Sequence, residues 1–105
     1  MIFYHRTNAA KTILRYGFRD AERFRGFESP VLRGVFISDV PLACMEEEKG
    51  SQVLEITLPD EFDISDYELI EKSKHYREWC VPSELINLLG QVELREGEAE
   101  LGTGQ

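Results

Sequence analysis

Alternating apolar and polar residues predict strands at several places along the chain. The clearest is residues 52–58, in which Leu54, Ile56 and Leu58 share one face and Pro59 follows. The other predicted strands are short runs rich in β-branched and aromatic residues. They are residues 1–6, residues 34–38, a strand from Tyr67, residues 78–81 and residues 91–94.

Apolar residues at helical spacing predict one early helix, at residues 9–16. Ala10, Ile13 and Leu14 form its apolar stripe, Asn8 is the expected N-cap, and Gly17 ends it. The first turn of a helix tolerates proline. Two shorter helices are therefore expected to begin at or next to prolines. These are residues 40–48, which contain Pro41, and a helical turn from Pro82 and Ser83 through Leu89 to Gly90.

The remaining segments have no sustained period. Residues 18–32 mix arginines and aromatics with Gly26 and Pro30, which predicts a long loop of the kind that often binds a ligand. Residues 63–66 and 72–77 are expected to form a turn and a polar loop. The segment 95–105 is rich in glutamate and glycine and is expected to be a disordered acidic tail. Residues 1–94 then form a single α+β domain with a mixed or mainly antiparallel sheet.

Composition limits the chain to one core. It has 105 residues, 42% of them apolar, and no apolar run near the roughly 20 residues that a membrane span needs. A cytoplasmic protein is therefore expected. Cys44 and Cys80 lack metal-binding spacing and are expected to be buried free thiols without a disulfide.

The net charge of −8 disfavours binding to a phosphate backbone, so duplex nucleic acid is an unlikely partner. The charge is uneven, because basic residues outnumber acidic ones in residues 1–34. This third of the chain is suited to an anionic ligand. The alternative is that its arginines are solvated side chains on an amphipathic helix and the loop after it.

Polar residues suited to ligand binding stand at the ends of predicted strands. His5 and Thr7 close the first strand, and Glu78 opens the strand at 78–81. If these two strands are neighbours in one sheet, the three side chains converge on one small molecule. The alternative interpretations are a histidine satisfied by backbone and a surface glutamate paired with Arg77 or Lys74. Cys80 lies inside an apolar strand, where a thiolate is costly, so thiol catalysis is disfavoured.

Taken in order, these segments resemble the ADP-ribosyltransferase fold in its diphtheria-toxin and poly-ADP-ribose-polymerase-like branch. The resemblance spans about residues 2–94. It rests on Tyr4-His5-Arg6-Thr7, the helix 9–16 ending in Gly17-Phe18, the strand 34–38, and residues 76–82. It implies a split, mainly antiparallel mixed sheet with one long and one or two short helices. It also implies that NAD is the substrate and that no metal is required.

The resemblance assigns roles to individual residues. Glu78 would be the catalytic carboxylate that holds the nicotinamide-ribose 2′-hydroxyl and stabilises an oxocarbenium ion, and Phe36 would stack on the nicotinamide ring. The other implied contacts are also to NAD. His5 would bind a ribose hydroxyl, and Thr7 would support the same pocket. Arg6 would contact the pyrophosphate or point away, and Ser38 and Arg15 complete the implied cofactor-binding residues.

The expected function is a mono-ADP-ribosyltransferase that releases nicotinamide and modifies an unidentified protein or small-molecule acceptor. Its small size is compatible with a toxin-like or phage-borne modifier. Two alternatives stay open. Arg6 in place of the family's usual glycine, and Phe36 in place of its tyrosine, favour a non-catalytic nucleotide- or protein-binding module. Arg6, Arg15 and Arg33 are also compatible with a related RNA 2′-phosphotransferase, although the net charge disfavours an RNA substrate.

Overall fold

The computed structural model describes residues 1–23, 31–41, 52–70 and 75–95, which fold mainly into strands. Two helices, α1 and α2, and one 3-10 turn at Ser65–Tyr67 accompany them. In chain order the elements are β1 (Ile2–Thr7), α1 (Ala10–Tyr16), β2 (Ala21–Arg23), β3 (Leu32–Ser38), β4 (Gln52–Thr57), β5 (Glu68–Leu69), β6 (Glu78–Val81), α2 (Ser83–Leu89) and β7 (Gln91–Leu94).

The strands form one sheet in the order β5-β6-β3-β1-β4-β7, and β2 pairs with the start of β3. Every strand pair within the described residues is antiparallel. The predicted α+β class with a mainly antiparallel sheet is therefore confirmed. The described residues contain no parallel pair that would make the sheet mixed.

The first and third strands are paired at one end and separate along their length. β1 pairs with β4 from Ile2 to Thr7, but its pairing with β3 is at Tyr4 and Ser38. The other end of β3 pairs with β2 instead, with Gly34 opposite Ala21. A gap therefore opens in the sheet between β1 and β3, and this gap positions the candidate site.

Gly34 lies where β2, β3 and β6 come close together. A Cβ atom at this position would be 2.9 Å from the backbone carbonyl oxygen of Val81 and 2.8 Å from Cys80 Sγ. The Cys80 side chain can rotate, but the Val81 carbonyl belongs to β6 and is fixed by its pairing. A glycine is therefore required for β3 and β6 to approach this closely.

The core lies on the face of the sheet that the two helices cover. Strand alternation places Phe3, Ile37 and Trp79 on this face, with the Phe3 and Trp79 rings edge to face at a centroid distance of 4.9 Å. Ala10 of α1 and Ile86 of α2 are buried in the same cluster. These contacts hold β1, β3 and β6 in one layer beneath the helices.

The helices differ in two ways from the expectation. α1 begins at Ala10 with Ala9 as the N-cap residue, and no side chain caps it, so the predicted Asn8 cap is wrong. Thr7 Oγ1 instead accepts a hydrogen bond from the Ala9 N–H at 2.9 Å. Both described helices have seven residues, so neither is the expected long helix.

The segment predicted as a loop at 18–32 is partly strand, because β2 and the first residue of β3 lie within it. All three residues of β2 are exposed, so the segment lacks the apolar alternation that identifies a strand in sequence. The strand expected from Tyr67 starts one residue later, at Glu68.

Several expectations concern residues outside the described ranges. These are most of the helix at 40–48, residues 72–74 of the polar loop, residues 96–105 of the tail, and Cys44. Arg95 is described, and its N–H donates to the Val53 carbonyl at 2.9 Å, so the tail cannot begin before residue 96. Neither described helix is both long and apolar enough to cross a membrane.

Candidate functional site

The gap between β1 and β3 forms a cavity of about 550 Å³, referred to below as the cleft. Tyr4, Ser38 and Glu78 form a row across it, because Tyr4 pairs with Ser38 and Ser38 pairs with Glu78. Directly paired residues of a sheet point to the same face, and so does Phe36, two residues before Ser38. Sheet geometry alone therefore brings an aromatic ring and a carboxylate to one side.

Five of the residues singled out from the sequence line the cleft, namely His5, Arg6, Phe36, Ser38 and Glu78. The strands that carry His5 and Glu78 are not neighbours, however, since β3 lies between β1 and β6. The condition of neighbouring strands is therefore not met, and His5 and Glu78 line the same cavity from strands on either side of β3.

Thr7 and Arg15 lie outside the cleft lining. The Thr7 hydroxyl oxygen accepts the Ala9 N–H described above, and the Arg15 guanidinium lies 5.4 Å from the centroid of the Tyr16 ring. Ser38 lines the cleft, but its Oγ donates to the Val40 carbonyl at 2.8 Å. These contacts stabilise local backbone and the end of α1.

Glu78 is a buried carboxylate, with 6% of its surface exposed. Arg23 Nη1 donates to Glu78 Oε2 at 3.2 Å, across a chain separation of 55 residues. Arg77 instead forms two hydrogen bonds to Glu68, at 2.8 and 2.7 Å. The interpretation of Glu78 as a surface charge paired with Arg77 is therefore wrong, and Lys74, the other partner considered, lies outside the described residues.

Arg23 also covers the aromatic ring of the cleft. Its guanidinium carbon lies 3.8 Å from the centroid of the Phe36 ring, within the range of a strong cation–π contact. The same guanidinium therefore contacts both Phe36 and Glu78. Together these two residues form a site that accepts a flat, positively charged group.

His5 borders the cleft with a neutral imidazole. Its Nδ1 lies 2.7 Å from the Phe36 carbonyl oxygen, and its ring meets Phe18 edge to face at 5.2 Å. Burial lowers the pKa of His5, the Phe36 carbonyl opposes this shift, and the nearby Arg23 charge adds to it. Because a carbonyl oxygen can only accept, Nδ1 carries the proton and Nε2 is left as an acceptor. His5 thus has the backbone partner that the alternative interpretation expected, the Phe36 carbonyl, and it also lines the cleft.

A second cavity of about 360 Å³ lies beside the cleft, under the end of α1. Its walls are mainly apolar and include Ile13, Phe18 and Val35. His5 and Ala21 line both cavities. The two cavities therefore share part of one wall.

Six of the residues that line the cleft were not singled out as site residues from the sequence, among them Tyr4, Arg23 and Tyr76. Tyr4 and Tyr76 lie within the segments that carried the resemblance, and both line the cleft. Arg23 lies in the segment read as a loop, and its position depends on β2 pairing with β3. The uneven basic charge of the first third was the available signal for Arg23, although it did not separate this arginine from its solvated neighbours.

The cleft offers no metal site, since no group of three potential ligands from His, Cys, Asp and Glu occurs in the described residues. Cys80, expected to be buried, is only half-buried. Burial nevertheless raises the pKa of its thiol, which stays protonated at neutral pH. A thiolate nucleophile is therefore disfavoured here.

Comparison with protein-family models, with curated proteins and with solved structures finds no match to this chain.

Proposed function

We propose that the protein is an ADP-ribosyltransferase-like enzyme that binds NAD in the cleft, releases nicotinamide and transfers ADP-ribose to a protein or small-molecule acceptor. The observation that carries the proposal is the buried Glu78 carboxylate beside the Phe36 ring, with a planar cation held between them. The nicotinamide ring of NAD is itself a planar cation. In shape and charge the nicotinamide ring therefore resembles the Arg23 guanidinium that this site holds.

The size and division of the cavities fit a dinucleotide. Ligand pockets in proteins commonly enclose about 300–1,000 Å³, and His5 lines both the cavity of about 550 Å³ and the cavity of about 360 Å³. The nicotinamide riboside would occupy the cleft, and the remaining nucleotide would extend into the apolar second cavity. Arg6 at the cleft wall is suited to the pyrophosphate.

The reaction follows from the two polar groups of the cleft. When the C1′–N bond breaks, its electron pair leaves with nicotinamide, and positive charge develops on the ribose ring. A buried carboxylate stabilises that charge more strongly than a solvated one, which gives Glu78 its role. His5 Nε2 can accept a hydrogen bond from a ribose hydroxyl and fix the sugar. The acceptor then forms a bond to C1′ and loses a proton.

Replacement of Glu78 by glutamine tests this function. Glu78→Gln keeps the shape of the side chain and removes its charge, so nicotinamide release from NAD should fall by at least about 100-fold. Affinity for NAD, measured by calorimetric titration, should fall by a smaller factor, no more than about tenfold, because the lost charge also pairs with the cationic ring in the ground state. Glu93→Gln is the matched control, because Glu93 is an exposed strand glutamate outside the cleft. Equal release by parent and Glu78→Gln would reject the role.

A binding module without catalysis is the second candidate. It is favoured by the contacts of Arg23, whose guanidinium already lies over the Phe36 ring and donates to the Glu78 carboxylate. In that function the cleft would bind a nucleotide, or the acidic surface a basic protein, with no bond broken. Release of free nicotinamide during incubation with NAD distinguishes the two candidates. Its detection in the parent and its loss in Glu78→Gln would exclude the binding-only function.

A further inference from the structure

The cleft holds a planar cation that belongs to the protein, the guanidinium of Arg23. One face of this group lies over the Phe36 ring at 3.8 Å, and its Nη1 is 3.2 Å from Glu78 Oε2. Stacking on an aromatic ring and pairing with a carboxylate are also the contacts that a cationic pyridinium ring would make. Arg23 and such a ligand therefore require the same two groups.

We infer that Arg23 is an internal competitor, which occupies the planar-cation position of the ligand-free protein and must leave before a ligand binds there. The identity of the natural ligand as NAD rests on the proposed function. The competition itself depends on Arg23, Phe36 and Glu78 alone.

The Arg23 side chain can leave the cleft without disturbing the sheet. It is 43% exposed, and it belongs to a strand of three exposed residues. Its backbone position is fixed by pairing with Leu32, whereas its long side chain has several rotatable bonds that reach solvent. Arg23 is half-exposed, so replacing its ion pair by that of a ligand costs less free energy than breaking a fully buried pair.

Glu78, in contrast, stays in place when Arg23 moves. It is buried, and it lies on β6 between β3 and β5. The exchange therefore replaces one cation by another beside a fixed carboxylate. A cation beside this buried carboxylate is favourable in the absence of a ligand.

Competition of this kind weakens ligand binding in proportion to the time that the internal group occupies the site. Arg23→Gln should therefore bind 1-methylnicotinamide, a planar pyridinium cation, about tenfold more tightly than the parent. Calorimetric titration measures both dissociation constants. Lys11→Gln is the control for loss of a positive charge, because Lys11 is an exposed residue of α1 outside both cavities.

Displacement can also be observed directly in the parent protein by NMR. The Arg23 side-chain protons next to the Phe36 ring should show ring-current shifts, which Phe36→Leu should remove. Addition of 1-methylnicotinamide should move these resonances towards the values of a solvent-exposed arginine. Simple charge repulsion between Arg23 and the probe predicts weaker binding but not this movement.

Three outcomes would overturn the inference. They are equal affinity of parent and Arg23→Gln for the probe, binding of the probe to the parent with unmoved Arg23 resonances, and no binding to Arg23→Gln at millimolar probe. None of these measurements uses NAD cleavage. A protein that binds the probe by displacing Arg23 but releases no nicotinamide from NAD would contradict the proposed enzyme activity and leave the competition established.

Discussion

Phe36 connects the functional groups of the cleft at the scale of single residues. Its ring lies under Arg23, its carbonyl oxygen contacts His5 Nδ1, and its backbone pairs with Cys80 of β6. The position of the imidazole is therefore fixed by main chain and does not depend on the side chain at position 36. A phenylalanine in this position supplies a stacking surface for the Arg23 guanidinium.

The neutral state of His5 predicts a pH dependence of stability. Because burial lowers its pKa in the folded protein from the ordinary 6.5, the folded state favours the uncharged ring. As the pH falls below 6.5, the unfolded chain takes up a proton that the folded chain does not. This contribution to stability is fully present above pH 6.5 and is lost as the pH falls towards the lowered pKa.

Urea unfolding at about pH 7.5 and pH 5.5 measures this effect before most carboxylates titrate. The parent should lose up to about 1.4 kcal/mol through His5, which is one proton over one pH unit. His5→Asn should lose less, because asparagine does not titrate and can still donate to the Phe36 carbonyl. His75→Gln is the control, since His75 is exposed, and it should behave as the parent does. Equal losses in parent and His5→Asn would contradict the prediction.

At the scale of secondary structure, apolar alternation and short runs of β-branched and aromatic residues were sufficient to find strands with buried side chains. The bounds of β6 and β7 agree with the prediction, and β4 was predicted to within one residue. β2 could not be found in this way, because its residues are exposed and it is a strand only through its partner β3. The same reason explains why Arg23 was missed while His5 and Glu78 were identified.

Asn87 joins the two helical regions and is the strongest test of their arrangement. Its Nδ2 donates to the Phe18 carbonyl at 2.9 Å, and its Oδ1 accepts the Phe18 N–H at 2.8 Å. Asn87→Ala removes both bonds and leaves two backbone groups without this partner, so unfolding free energy should fall by about 1–3 kcal/mol.

The midpoint of urea unfolding measures this loss. Leu88→Ala is the matched control on the same helix, because Leu88 is 78% exposed and its truncation should change stability by less than about 0.5 kcal/mol. A loss in Asn87→Ala no larger than that in Leu88→Ala would show that the two bonds contribute little.

At the scale of the whole molecule, the net charge of −8 separates the possible substrates. Long-range repulsion acts against a polyanion more strongly than against a dinucleotide, which carries few negative charges. We therefore expect no removal of a terminal 2′-phosphate from a short RNA in the presence of NAD.

Salt dependence provides the physical check on that expectation. Any residual RNA binding, measured by fluorescence anisotropy, should strengthen from about 20 to about 150 mM salt, because screening reduces repulsion. Proteins that bind through phosphate contacts show the opposite trend, since salt opposes counterion release. Binding that weakens with salt, together with phosphate removal, would support the RNA 2′-phosphotransferase alternative.

The placement of β3 between β1 and β6 also determines when the cleft is completed during synthesis of the chain. Arg23 and Glu78 are 55 residues apart, which corresponds to about 3–11 s of translation at about 5–20 residues per second. For most of that interval the emerging polypeptide has Phe36 and His5 but lacks the Glu78 carboxylate. The cleft is therefore incomplete in any chain that is interrupted before β6, because Glu78 belongs to that strand.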